Sequence, residues 1–222
     1  MLIRTMKLRS ILAITVALGL IGTVSACGGS SSSSSASSGF AVDSAPISLF
    51  DGDQLTQPFT KPNVTLTDAS GKQFNLVQGT KGKLTLVYFG YTHCPDVCPT
   101  TMATLAATVR TLTPAQSAQI DVVFISSDPK RDTPAVLHTW LGQYDPSFIG
   151  LTGDFGKIQG AAAALGITIE PPIDTNGNYT VTHGAEVVAF DAKGKGDLVY
   201  TSGTSVPQFQ HDIPLLLAAR DD

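Results

Sequence analysis

From residue 58 onward, apolar positions fall into short blocks whose spacing alternates between strand and helix periods. Leu84–Gly90 (Leu-Thr-Leu-Val-Tyr-Phe-Gly) is a nearly continuous apolar run, the pattern of a strand buried on both faces. Ile120–Ser127 repeats that pattern, and a helix is expected between them from about Val97 to Leu112. Asp132-Thr133-Pro134 offers a cap followed by proline at the first helical position, predicting a helix that runs to about Tyr144. Phe148–Leu151 reads as a short strand, and the next helix should run from about Asp154 to Leu165. Tyr179–Thr182 and Glu186–Asp191 read as strands, the second turning through residues 192–196 into Asp197–Tyr200. Pro207–Arg220 is helical in pattern, but Pro214 predicts a kink there or a start near Asp212. Ahead of all these, Asn63–Thr67 and Lys72–Leu76 flank the turn-rich Asp68-Ala69-Ser70-Gly71 and predict a hairpin.

Strand–helix alternation closed by a hairpin and a helix predicts an α/β, thioredoxin-like sandwich over residues 58–220, with an N-terminal β-hairpin extension. The chain before it has another character. Arg4, Lys7 and Arg9 precede an apolar run from Ile11 to Val24, too short for a comfortable membrane span; residues 1–26 read as a secretory signal peptide. The run ends in Val24-Ser25-Ala26-Cys27, which resembles the lipobox of bacterial lipoproteins. That resemblance implies cleavage before Cys27 and a diacylglycerol on its thiol, against the plainer reading of an uncleaved anchor. Gly28-Gly29 and the serines that follow cannot bury apolar area, so residues 27–57 read as a disordered tether. A flexible chain of roughly 30 residues reaches roughly 30 Å. The expected location is therefore the cell membrane, lipid-anchored on its extracytoplasmic face.

Charge changes the picture only by exclusion. Charged residues make up 14% of the 222, against roughly 25% in a typical soluble protein. Loss of the leader, with its three cations and no acid, would move the net charge from −4 to −7. So acidic a chain, with no Lys/Arg cluster after residue 9, argues against nucleic acid as a partner. Three cysteines cannot build a disulfide framework, so the fold must rest on its own core.

Two of those cysteines carry the chemistry. Cys94 and Cys98 lie directly after a buried strand at the opening of a helix, where free backbone N–H groups and the helix dipole favour a thiolate. A spacing of four puts both sulfurs on one helical face. They can close a disulfide, converge on one metal ion, or be merely structural. The neighbours decide between these: Phe89-Gly90-Tyr91-Thr92-His93-Cys94-Pro95-Asp96-Val97-Cys98-Pro99 closely resembles the signature of the Sco/SenC family. Members are membrane-tethered, thioredoxin-fold proteins that handle copper for cytochrome c oxidase assembly. Ser127–Pro134, Phe148–Gly153 and Tyr179–His183 extend the resemblance over about residues 58–220. It implies copper held by Cys94, Cys98 and His183. The flanks of the histidine depart from the pattern: Thr182 and Gly184 stand where many members have an acidic residue and Ser.

That ligand set is chemically coherent. Two thiolates suit Cu(I) and an imidazole suits Cu(I) or Cu(II), whereas structural zinc would want a fourth protein ligand. His93 abuts Cys94 but should leave the backbone in another direction; His138 and His211 read as surface or packing residues. Asp128-Pro129 should shape a loop and Asp132 or Thr133 cap the next helix, with a place for Asp128 beside the metal as the second reading. Asp96 is either a plain helix-start acid or a charge that favours metal uptake. Two functions follow. The favoured one is a metallochaperone that passes copper to the copper-bearing subunit of cytochrome c oxidase. The other is a thiol–disulfide reductase in which Cys94 attacks and Cys98 resolves. His183 separates them, because metal binding needs it and thiol exchange does not. A thiol peroxidase would lack the Thr and Arg that orient peroxide. By the same resemblance, the partners are the oxidase subunit, an extracytoplasmic thiol reductant or copper donor, and the membrane through the lipid; the chain is expected to be a monomer.

Overall fold

The computed structural model describes residues 48–219, and its first element is one the hydrophobic pattern does not announce. β1 (Asp53–Thr60) pairs antiparallel with β10 (Lys195–Tyr200), from Asp53 opposite Val199 to Thr60 opposite Lys195. The tether reading, which reached residue 57, is corrected here: part of that stretch is an edge strand. The reason is physical. An edge strand turns little inward, and only Leu55 and Phe59 are half-buried, so no apolar alternation marks it. Pro58 is tolerated there because no second neighbour needs its N–H. The backbone N–H groups of Asp51 and Gly52 then fasten the strand's start to the buried carboxylate of Asp212, each at 2.9 Å. The leader and Cys27 lie outside the described residues.

The predicted hairpin forms as β2 (Thr65–Asp68) and β3 (Gln73–Asn75), and β2 docks antiparallel on β6 (Ile149–Thr152). The extension is thus the far edge of the main sheet. After a short α1 (Leu76–Gly79) come β4 (Leu84–Gly90), α2 (Val97–Thr111), a one-turn α3 (Pro114–Ser117) and β5 (Ile120–Ser126). Then follow α4 (Pro134–Leu141), β6, α5 (Phe155–Ala163), a small pair β7 (Ile173–Thr175) and β8 (Asn178–Thr180), β9 (Val187–Phe190), β10 and α6 (Val206–Ala218). The eight-stranded sheet runs β1-β10-β9-β4-β5-β6-β2-β3. Its centre, β4, β5 and β6, is parallel, and β9 lies antiparallel on β4.

Alternation along β4 divides the core. Leu84, Leu86 and Tyr88 pack with Met102 and Leu105 of α2 and Phe209 and Ile213 of α6, whereas Val87 and Phe89 pack with Ile158 and Ala162 of α5. Helices therefore cover both faces, the three-layer sandwich the pattern predicts. Boundaries differ at α4, β8 and α6, among others. α4 stops at Leu141 with Gly142 as its C-cap, short of Tyr144. The strand expected at Tyr179–Thr182 ends at Thr180 and pairs with β7, outside the main sheet. α6 starts at Val206, not near Asp212, because Ser205 and Gln208 form a capping box and Pro207 sits in the first turn. Pro214 is exposed, as is Gln210, whose carbonyl loses its helical partner and faces solvent.

Lys61 carries one consequence for stability. It is 5% exposed, its Nζ donates to Thr80 Oγ1 and Thr85 Oγ1, and desolvation lowers its pKa to about 8 against the pull of Asp121 and Asp191. Both hydroxyls also donate to backbone carbonyls, so each keeps a partner without Lys61. Lys61→Met should then stabilise the domain at pH 7 by on the order of 1 kcal/mol, or about 2–4 °C in Tm. A folded pKa below the free value makes the buried charge unfavourable at low pH and relieves it as pH rises from about 8 towards 10.5. The gain should therefore shrink across that window, as thermal melts at pH 7 and pH 10 would show.

Candidate metal centre

The polypeptide leaves β4 at Gly90 and reaches α2 through a tight loop. Cys94 N–H donates to Tyr91 O at 3.2 Å, and the loop is pinned by Asp132, fully buried. Asp132 accepts from Thr92 N–H (3.0 Å), Thr92 Oγ1 (2.6 Å) and Ser126 Oγ (2.7 Å). It is an anchor for the cysteine loop; the helix cap is Thr133, which accepts from Val136 N–H. Cys94 is 8% exposed and Cys98, in the first turn of α2, is 0% exposed. Cys98 N–H donates to Cys94 Sγ at 3.4 Å, and Tyr88 Oη donates to Cys98 Sγ at 3.4 Å. Gly90 makes the room. A Cβ there would lie 2.8 Å from Cys98 Sγ and 2.7 Å from the Tyr88 ring.

His183 arrives from the loop after β8. Its Nε2 lies 3.8 Å from Cys94 Sγ and its Nδ1 4.0 Å from Cys98 Sγ. Nδ1 is also hydrogen-bonded to Gly184 O. A carbonyl only accepts, so the ring proton sits on Nδ1 and Nε2 of the neutral ring keeps its lone pair for a metal. One donor atom from each of the three side chains falls within 4.8 Å of the others. Metal–sulfur and metal–nitrogen bonds of about 2.3 and 2.0 Å put donors around a shared ion roughly 3.5–4 Å apart. The three side chains are thus nearly at the spacing of one coordination sphere. Tyr91 packs its ring on His183, centroids 5.2 Å apart.

The two thiols are not equivalent. Burial opposes ionisation of Cys94, but N–H groups of Cys98, Asp96 and Val97 and the Cys98 side chain outweigh it, and the pKa falls below the ordinary thiol value. Burial dominates at Cys98 and pushes it up to about 12. Burial, then the neighbouring Cys98, holds Tyr88 protonated, and burial followed by the charge of Cys94 raises Tyr91.

The other residues singled out from sequence lie elsewhere. Asp128 is fully buried, but its carboxylate is paired with Arg131 and accepts from Tyr179 Oη at 2.9 Å. Asp96 is exposed at the N-cap of α2 and makes no capping hydrogen bond. Neither joins the cluster of donors. His93 is exposed and bonded to Thr92 Oγ1, and His138 is exposed on α4. His211 pairs with Asp212 at 2.8 Å; that hydrogen bond, against desolvation and with Asp51 nearby, raises its pKa. Tyr88, Tyr91, Arg131 and Tyr179 were not picked out by the sequence pattern, although Tyr88 lies on the α2 face of a strand it delineates.

Two thiols and an imidazole gathered at the opening of α2 define a protein built for a soft metal ion or for dithiol exchange on a thioredoxin-like frame. The chain belongs to the SCO1/SenC family, whose model matches residues 52–217. It is 40% identical over 134 residues to the SCO2-like protein of Rickettsia felis, covering 59% of this chain and 63% of that one. Among solved structures it resembles apo Sco1 of Thermus thermophilus (TM-score 0.68, 30% identity, 78% of this chain and 99% of that one). It also resembles Bradyrhizobium japonicum ScoI with copper bound (TM-score 0.61, 32% identity, 74% and 98%). The chain spans less than two thirds of the length of the curated relatives it matches, from 44% to 65% among three of them.

Proposed function

We propose that this chain takes up copper as cargo through Cys94, Cys98 and His183 and delivers it to the copper-bearing subunit of cytochrome c oxidase during assembly. The observation that carries the reading is the imidazole. His183 lies 89 and 85 residues from the two cysteines in sequence, yet its ring nitrogens come within 3.8 and 4.0 Å of their sulfurs. Thiol exchange requires only the two thiols, whereas a three-donor copper site requires the imidazole. Two sulfurs and one nitrogen suit copper in both oxidation states, and copper-bound relatives support the choice of metal. Placement at the extracytoplasmic membrane face, through a lipid on Cys27, rests on the Val24–Cys27 sequence and belongs to the same reading, as do a thiol reductant or copper donor as second partner and a monomeric state.

The unequal thiols favour a second activity, disulfide exchange with Cys94 attacking and Cys98 resolving. Copper titration of the full-length chain in detergent, followed by oxidase activity in cells, tests the pair. Wild type should bind one copper per chain, and Cys94→Ser and Cys98→Ser should each lose it. Cells lacking the protein should lose oxidase activity and regain it with wild type but not with Cys98→Ser. Normal oxidase in cells without the protein would overturn the assignment.

A further inference from the structure

The loop that presents His183 hangs from β7 and β8, which pair with each other and not with the main sheet. At its other end the loop joins β9, where Val187 lies opposite Tyr88 of β4, but strand register does not hold the β8 side, and an isolated two-stranded hairpin is marginal in water. Buried Val181 and the Gln159 bond to Ile169 O fix the ends of the segment. The polar fastening is elsewhere. The Arg131 guanidinium lies 3.8 Å above the Tyr179 ring on β8, Tyr179 Oη donates to Asp128 Oδ1 at 2.9 Å, and Arg131 Nε pairs with the other Asp128 oxygen. On its other side Arg131 faces the Tyr91 ring at 6.0 Å, and Tyr91 is the ring packed on His183. One planar cation thus links the hairpin, the loop after β5 and the aromatic beside the metal donors.

We propose that Arg131 and Tyr179 are positioning residues: stacked over buried Asp128, they latch the β7–β8 hairpin and hold the His183 imidazole against the two cysteine sulfurs. This deepens the copper reading and rests on it, since it presumes that His183 is a ligand. Neither residue touches the metal; both set the direction from which its nitrogen donor arrives. Arg is required for its plane as well as its charge, because stacking and ion pairing are satisfied together only by a flat guanidinium.

The test uses the full-length chain in detergent with Cu(II) and Cu(I) titrated separately. Tyr179→Leu and Arg131→Lys should weaken Cu(II) binding on the order of 10–100-fold, the range for loss of a residue that orients a ligand. Both should alter the thiolate-to-Cu(II) absorption band and the nitrogen hyperfine pattern in electron paramagnetic resonance. Cu(I) binding and the rate of Cys94–Cys98 disulfide reduction should stay near wild type. Tyr179→Phe keeps the ring under the guanidinium and should retain most of the Cu(II) affinity. Arg131→Lys keeps a positive charge beside buried Asp128, so it still folds if the Leu variant does not. Wild-type Cu(II) affinity and spectrum in both Tyr179→Leu and Arg131→Lys would overturn the latch, as would parallel losses in Cu(II), Cu(I) and disulfide reduction with a falling Tm. His183→Ala run alongside separates the failures: loss there without loss in the latch variants overturns the latch alone, and wild-type binding there overturns both readings.

Discussion

His183→Ala is expected to lose Cu(II) by more than the roughly 10–100-fold that follows removal of an orienting residue, because it removes a donor outright. Cu(II) prefers nitrogen and oxygen donors in tetragonal arrangements and depends on the imidazole; Cu(I) is soft and two-coordinate thiolate binding satisfies much of it. The variant should keep a large share of Cu(I) affinity. The Tyr91 ring loses its packing partner, but the cysteine loop keeps its own anchor through Asp132 and Thr92. Reduction of the Cys94–Cys98 disulfide should therefore proceed at the wild-type rate. Isothermal titration with each copper state, beside stopped-flow reduction, checks both halves. Equal loss of both activities would mean that the imidazole supports the fold of the site and does not serve as a donor.

The second large effect is a split in thiol reactivity. With Cys98 at about 12 and Cys94 below the ordinary 9.0, Cys94 carries at least roughly a thousandfold more thiolate at neutral pH. Lower basicity also lowers nucleophilicity, with a Brønsted coefficient of about 0.4–0.5, which leaves a net preference of roughly thirtyfold or more. Full burial of Cys98 widens the gap. Of this pair, iodoacetamide at pH 7 should modify Cys94 first, and mass mapping should find Cys98 labelled at least roughly thirtyfold more slowly until the domain is unfolded. Below the Cys94 pKa, each unit of pH should raise its rate about tenfold before a plateau. Equal rates at the two sites would show that the environment of Cys98 is open.

The sheet was legible wherever a strand is buried on both faces. β4 and β5 read directly from nearly continuous apolar runs, broken only by Thr85, Asp121 and Ser126, because both faces are buried. β1 left no such mark. Its partner is one strand and its outer side is solvent, so its sequence resembles a loop and its place follows from β10, some 135 residues later. At the site, Cys94 and Cys98 stand out because their spacing and helix-start position are local. The three-donor arrangement was reachable only through the family resemblance, since the approach of His183 depends on how a hairpin outside the sheet is held. From sequence Asp132 reads as a candidate helix cap and nothing singles out Arg131, because their grip on Thr92 and Tyr179 joins segments that no period connects.

The strand order has a consequence for the order of folding. β4 borders β9, and β1 borders β10, so strands from the first half of the domain take partners from near its end. β4, α2 and β5 are neighbours in sequence and can come together before residues 183–200 dock, which leaves both cysteines at the mouth of the sheet without their imidazole. Throughout that interval Cys94 lacks the ring of His183 beside it. The interval most open to oxidation of this site therefore precedes docking of the β9–β10 hairpin, and a reductant matters most then.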